Sequence, residues 1–281
     1  AVSVSSATAL AAAGAEVFIR PGCGGTVDEL FLEPEGGGEA IPALAAQPAE
    51  ERGNECNPGL FRGRVLAPFS DRIPNGEYTF EGATLSFPIN DVEAGDAIHG
   101  FLYSMELETS HESGDELTLK RTIAPGESRG YPFALEITLF YQISRSRFRF
   151  VANGRNAGGT LLPLTLGWHP YFALPGVGLV DELELEVAAS NYVEVGDDLL
   201  PTGEVPEVRG GAFDFRAPRR IGSGELDLAF SLNQREEAGP SARLLGRGYQ
   251  IELRPLGTVR YLQLFIPPDR RSIAIEPLTA A

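Results

Sequence analysis

Apolar and polar residues alternate with a period of two along much of this chain. In the stretch 135–141, Leu135, Ile137, Leu139 and Tyr141 fall on one side and Glu136, Thr138 and Phe140 on the other. The stretches 147–151 (RFRFV) and 183–187 (LELEV) alternate more strictly, and 249–255 (YQIELRP) and 261–267 (YLQLFIP) follow. That is the spacing of strands laying one face on a core. Turn-forming residues punctuate them: Pro74-Asn75-Gly76, Asn153-Gly154, Gly158-Gly159, Gly203 and Gly210-Gly211. Glycines and prolines are spread along the whole chain, so no composition break marks a linker. No long segment keeps a 3.6-residue period; the best short helical candidate is Ala43–Glu51. The pattern predicts an all-β chain of many short antiparallel strands, folded as one large β-sandwich domain over residues 1–281.

A chain of 281 residues buries enough surface, about three quarters of the unfolded total, to need no metal or disulfide staple. The formal net charge of −16 repels phosphate backbones, so nucleic acid is excluded as a partner, and an anionic substrate is disfavoured unless arginines converge locally. Arginine carries nearly all the positive charge, because Lys120 is the only lysine. No apolar run is long enough to span a bilayer, so no membrane partner is expected. The stretch AVSVSSATALAAAGA at the start lacks a basic beginning. It is not read as an intact signal peptide, and a cytoplasmic location is the expectation. Two cysteines, Cys23 and Cys56, are too few for a disulfide framework or a zinc site, and Cys23 reads as a small filler in a PGCGG turn.

A few titratable residues sit in unusual surroundings. His169 lies in LGWHPYFALPG with the only tryptophan, Trp168, before it and Tyr171 and Phe172 behind. On its own it reads equally as a packed histidine or as a general acid tuned by aromatic walls. His99 precedes Gly100, which permits a tight backbone and an open approach to the ring. His111, among acids and small polar residues, reads as a solvated loop histidine. Glu276 shares a strand face with the small Ala274, which leaves room in front of it, and Pro277 then ends the pairing. Arg72 lies between an apolar run and a Pro-Asn-Gly turn, and Asp227 is flanked by leucines; each alone reads as an ion-pair partner. No phosphate loop, GxSxG elbow, HExxH or paired-cysteine spacing occurs, so phosphoryl transfer, redox chemistry and metal hydrolysis lose their usual supports.

Taken together, the segments resemble the aldose 1-epimerase (galactose mutarotase-like) family. The resemblance rests on APFSDRIPNGEYTFEG (67–82), IHGF (98–101), GWHPYFALPG (167–176) and IAIEPLTA (273–280), in the family's order. NYVEVGDDLLPTGEV (191–205) and ELDLAF (225–230) support it. The Gly-Trp before the histidine is closer to the family's less characterised bacterial branch than to its galactose-specific one. The resemblance implies a β-supersandwich that opens a pyranose ring and recloses it on the other carbonyl face. It assigns Glu276 as the base at the anomeric O1 and His169 as the acid at the ring oxygen O5, with no cofactor and no metal. Arg72 and His99 match sugar-binding positions, and Asp227 one that accepts hydrogen bonds from hydroxyls. Trp168 and Tyr171 become candidates for packing on the sugar.

Three departures stand out. Asp71 replaces the asparagine common before the arginine, and is placed to neutralise Arg72. FLYSMEL lacks the arginine and tryptophan that often follow His-Gly. The chain stops at Ala281, where family members continue with another strand. The expectation is therefore an isomerase acting on a free monosaccharide, as a monomer or homodimer. A hexose 6-phosphate epimerase is the alternative, for which the arginines of 144–150 or 216–220 would have to bind phosphate. A non-catalytic sugar-binding protein on the same scaffold is the third reading.

Overall fold

A computed structural model describes residues 7–47, 56, 59–233 and 239–281. Among these there are strands and four short 3-10 turns but no α-helix, as the period-two pattern predicts. The helical candidate at Ala43–Glu51 is not helical over residues 43–47, and residues 48–51 lie outside the described residues. The chain divides into two compact units, Ala1–Ile41 with Ala46–Trp168, and Pro42–Ala45 with His169–Ala281.

The first unit contains a four-stranded antiparallel meander, Glu108–Glu112, Glu116–Ile123, Leu135–Ser144 and Arg147–Asn156. Leu135, Ile137, Leu139 and Tyr141 are wholly buried, whereas the residues between them are partly exposed, which is the alternation legible in the sequence. Two local expectations fail. Asn153-Gly154 is not a turn but lies inside the Arg147–Asn156 strand, paired with Thr138 and Ile137. A Cβ on Gly154 would lie 2.3 Å from Leu164 Cδ2, so the glycine makes room for a packed leucine instead of reversing the chain. His111 stands on the exposed Glu108–Glu112 strand, not in a loop.

A second sheet of the first unit runs Thr8–Ala12, Ala15–Arg20, Thr26–Leu32. The two cysteines are bonded to one another, Cys23–Cys56, with Cα atoms 5.1 Å apart. The reading of Cys23 as a filler is corrected: a count of two excludes a framework but not a single bridge, and the pairing joins residues far apart in sequence.

Ring packing fixes the segment before Arg72. Phe69 meets Tyr78 and Phe87 edge-on, at 5.0 and 5.4 Å between ring centroids. Ser70 N donates to Thr165 Oγ1 at 2.7 Å. The two-residue strand Arg72–Ile73 then pairs with Ala97–Ile98, setting Arg72 opposite Ile98 and one residue from His99.

In the second unit, the antiparallel strands Ala189–Tyr192, Asp227–Leu232, Tyr261–Phe265 and Ile273–Leu278 lie side by side. Tyr171–Phe172 pairs with Ile273–Leu278 as well. Another sheet orders Arg219–Arg220, Glu184–Val187, Ala242–Gly246 and Tyr249–Leu253. Pro277 does not end the pairing, which continues as Leu262 with Pro277 and Tyr261 with Leu278. One missing donor does not stop an antiparallel ladder in which bonded and non-bonded pairs alternate.

Candidate active site

The strongest constellation lies wholly in the second unit. Tyr171 pairs with Ala274 across the sheet, and Phe172 with Ile273. Two residues further along the same antiparallel register, His169 falls opposite Glu276, on the face that Tyr171 and Ala274 share. Pro170 O also accepts a hydrogen bond from Ile275 N at 3.3 Å. The outcome is that His169 Nε2 lies 3.3 Å from Glu276 Oε1. Both residues are buried, 5% and 2% exposed, so the carboxylate is not the solvated edge residue its position near the end of the chain allows.

Ala274, expected from its size to leave room in front of Glu276, lies on this same face. Its cross-strand partner is the buried Tyr171, whose ring stacks on the His169 imidazole at 5.0 Å and 8° between planes. A methyl at 274 thus lies opposite the ring that backs the histidine. Of the three aromatic residues around His169, Tyr171 is the wall. Trp168 packs elsewhere, in the first unit, at 5.9 Å from Phe148 and 5.6 Å from Phe150, and donates its indole N–H to Gly63 O at 3.2 Å.

Asp227 opens its strand opposite Phe265, and Gln263 lies opposite Glu276. Diagonally across the pair, Gln263 Nε2 donates to Asp227 Oδ1 at 2.8 Å. Gln263 therefore links the sugar-binding candidate to the strand position facing the candidate base. Sequence reasoning passed over it. The available signal was its place on the outward face of YLQLF, where a glutamine in register with a catalytic candidate is worth testing.

The first unit carries Arg72 and His99. His99 and Gly100 are both left-handed, at φ 63° and 67°. A Cβ on Gly100 would lie 2.2 Å from Ala67 O, so only glycine fits there. This double turn carries the His99 ring to Ser70 O, 3.0 Å from Nδ1. A carbonyl only accepts, so Nδ1 bears the hydrogen. Burial pushes the His99 pKa down to about 4; the Ser70 bond opposes this, the Arg72 charge adds to it and Asp91 opposes it. His99 is therefore neutral near pH 7, with Nε2 as the acceptor nitrogen. The Phe61 ring meets the imidazole edge-on at 4.5 Å.

Asp71 binds the backbone of Arg72, not its guanidinium. Asp71 Oδ1 accepts the Arg72 backbone N–H at 2.7 Å, and burial raises the Asp71 pKa against that bond and the arginine's charge. The guanidinium instead binds Asp91 Oδ2 at 2.6 Å and comes within 3.9 Å of Asp96 Oδ2. Asp91 is held below the usual carboxylate range, chiefly by this bond.

Most of the arginines in the two clusters have local partners. Arg145 and Arg147 pair with Glu33 and Glu35, and Arg216 pairs with Asp214. Arg219 lies over the Phe215 ring and Arg220 donates to Asp181 O. Among the described residues no group of three or more His, Cys, Asp or Glu side chains is arranged to hold a metal ion. Among the described residues no helix is long and apolar enough to cross a membrane.

An antiparallel all-β fold that buries an imidazole against a carboxylate defines a candidate general acid–base site. The profile of the aldose 1-epimerase family matches residues 43–279, and the chain belongs to that family of isomerases. It is 28% identical over 235 residues to the galactose mutarotase of Pongo abelii, covering 76% of this chain and 67% of that one. With the aldose 1-epimerase of Escherichia coli (strain K12) it shares 25% identity over 174 residues, 60% of this chain and 49% of that protein. Its fold matches the crystal structure of the GalM/aldose epimerase homologue from C. elegans with a TM-score of 0.80 at 18% identity, over 97% of this chain and 89% of that one.

Proposed function

We propose that this protein is a mutarotase for a free, uncharged hexose or related sugar, with Glu276 as base and His169 as acid. The single observation that carries the reading is the 3.3 Å approach of two buried proton carriers, His169 Nε2 and Glu276 Oε1. The reaction moves two protons at oxygens bonded to one carbon, so an acid and a base side by side suit it. Glu276 takes the proton from the O1 hydroxyl as C1–O1 becomes a carbonyl. The C1–O5 bond breaks, and O5 takes a proton from protonated His169. After rotation about C1–C2, O5 attacks the other carbonyl face, returning its proton to His169 while Glu276 returns one to O1. Both groups end as they began. Each transfer contributes about 10²–10⁴-fold.

Asp227, oriented by Gln263, is proposed to accept from a sugar hydroxyl, with Arg72 and His99 as further hydroxyl ligands on the strength of their family positions. Tyr171 supports the acid from behind. Neither ring candidate is favoured for the sugar: Tyr171 is buried behind His169, and Phe148 and Phe150 pack against Trp168. An uncharged substrate is favoured over a hexose 6-phosphate because Arg145, Arg216 and Arg220 already have local partners. The Cys23–Cys56 bridge favours maturation in an oxidising compartment over the cytoplasmic location expected from sequence.

Polarimetry of freshly dissolved α anomers, across free sugars and their 6-phosphates, tests the reading. Wild-type conversion faster than that of a Glu276→Gln, His169→Ala double variant supports it. Equal rates on every sugar sink it, and a difference confined to phosphorylated sugars favours the epimerase of hexose phosphates.

A further inference from the structure

The segment between the Glu77–Phe80/Ala83–Ser86 hairpin and the Ala97–Ile98 strand has no part in the proton transfers, yet it is closely tied to Arg72. It closes on itself: Asn90 N and Asp91 N both donate to Asp96 O, at 3.2 and 3.0 Å, and Gly95 N and Asp96 N donate back to Asp91 O, at 2.9 and 3.1 Å. Ala94 N caps Asp91 Oδ1 at 3.2 Å, leaving Oδ2 for the guanidinium. Three of its polar side chains, Asn90, Asp91 and Asp96, also each hold a different part of the arginine's surroundings. Asn90 exchanges two hydrogen bonds with the backbone of Ile98, the cross-strand partner of Arg72: Ile98 N to Oδ1 at 2.7 Å, and Nδ2 to Ile98 O at 2.9 Å. Asp96, buried, accepts Asn75 N at 3.0 Å, fixing the turn that follows Arg72–Ile73. Asp91 binds the guanidinium itself at 2.6 Å.

We propose that the Asn90–Asp96 loop is the positioning element of Arg72, and that the carboxylates of Asp91 and Asp96, by offsetting the guanidinium charge, select uncharged over anionic sugars. This rests on the reading of Arg72 as a sugar ligand. An arginine flanked by two aspartates still donates N–H groups to a hydroxyl, but it offers an anion little net positive field. The half-buried setting strengthens the pairing relative to an open surface, because water screens it less. Glu93, exposed in the same loop, makes an internal control, since removing its charge alters the loop's formal charge as much as removing that of Asp91.

The test compares Asp91→Asn, Asp91→Glu and Glu93→Gln with wild type. For a neutral hexose, Asp91→Asn should raise KM about 10-fold with kcat within about 3-fold, and Asp91→Glu should recover most of it. The ratio of kcat/KM for a hexose 6-phosphate or hexuronate to that for the hexose should rise about 10-fold in Asp91→Asn and stay unchanged in Glu93→Gln. The Arg72 Nη–H signal, from the group that donates to Asp91 and assigned by its loss in Arg72→Lys, reports positioning without turnover. It should be protected from exchange in wild type and Glu93→Gln and exposed in Asp91→Asn. Equal protection in Asp91→Asn overturns the positioning role. An unchanged substrate ratio, or an equal change in Glu93→Gln, overturns the selectivity. A wild type that turns over no sugar defeats the mutarotase reading and the selectivity that rests on it, while the Nη–H comparison still decides positioning.

Discussion

His169 Nε2 and Glu276 Oε1 are 3.3 Å apart because one antiparallel register, set by Tyr171 opposite Ala274, puts the two residues face to face. Two groups this close act as one proton-handling unit. Glu276→Gln and His169→Gln should each lower kcat by about 10²–10⁴-fold, and the double variant should fall little below the worse single one. Polarimetric rates with one sugar at saturation check this. Losses that multiply would mean that the residues act independently.

The strands were legible because polar and apolar positions largely alternate along Leu135–Ser144 and Tyr261–Phe265, and burial keeps the period of two even across Leu139-Phe140-Tyr141, where hydropathy alone does not separate neighbours. The His169–Glu276 pair was legible as two separate motifs, but not as a contact, because which strand lies beside which is not written in local periodicity. The same gap hid Gln263, whose role depends on facing Asp227 and Glu276 from a neighbouring strand. It also hid Asp91, which lies nineteen positions from Arg72, whereas adjacency in sequence drew attention to Asp71. Gly154 misled for a related reason: Asn-Gly has a strong turn preference, and only the packed Leu164 shows why a glycine stands in a strand.

Gln263 should matter for binding more than for chemistry. Removing its N–H donor in Gln263→Leu leaves Asp227 without the 2.8 Å bond that orients it. The expected result is a KM increased by about 5-fold at nearly unchanged kcat. Gln263→Glu should cost more, because it sets a second carboxylate against Asp227 and opposite Glu276. Initial rates over a range of sugar concentrations separate the two effects. A fall in kcat alone for Gln263→Leu would contradict the assignment.

The disulfide closes a sequence separation of 33 residues. By loop closure it should contribute about 2–4 kcal/mol to stability. Urea denaturation of the oxidised protein should therefore show a higher midpoint than in the presence of dithiothreitol. A Cys23→Ala, Cys56→Ala variant should match the reduced protein and ignore the reductant. If oxidised and reduced midpoints coincide, the bridge does not stabilise the fold.

His99 should make stability depend on pH in a defined window. Its folded pKa, about 4, lies below the unfolded value of about 6.5. Between those values the unfolded state binds the proton and the folded state does not, so stability falls as pH drops from about 6.5 to about 4. It is undiminished above that window and levels off below it, for a total of about 3 kcal/mol. Carboxylates such as Asp91, whose folded pKa is lowered, lose their contribution at the acid end as well, so the test is a difference. His99→Asn is the suitable comparison, since asparagine tolerates the left-handed backbone at φ 63°. Unfolding free energies by urea at several pH values from 7 to 4 should show wild type converging on the variant, or dropping below it, as the imidazole of the unfolded state takes up its proton. A wild-type-minus-variant difference that stays constant with pH would show that His99 titrates alike in the folded and unfolded chains.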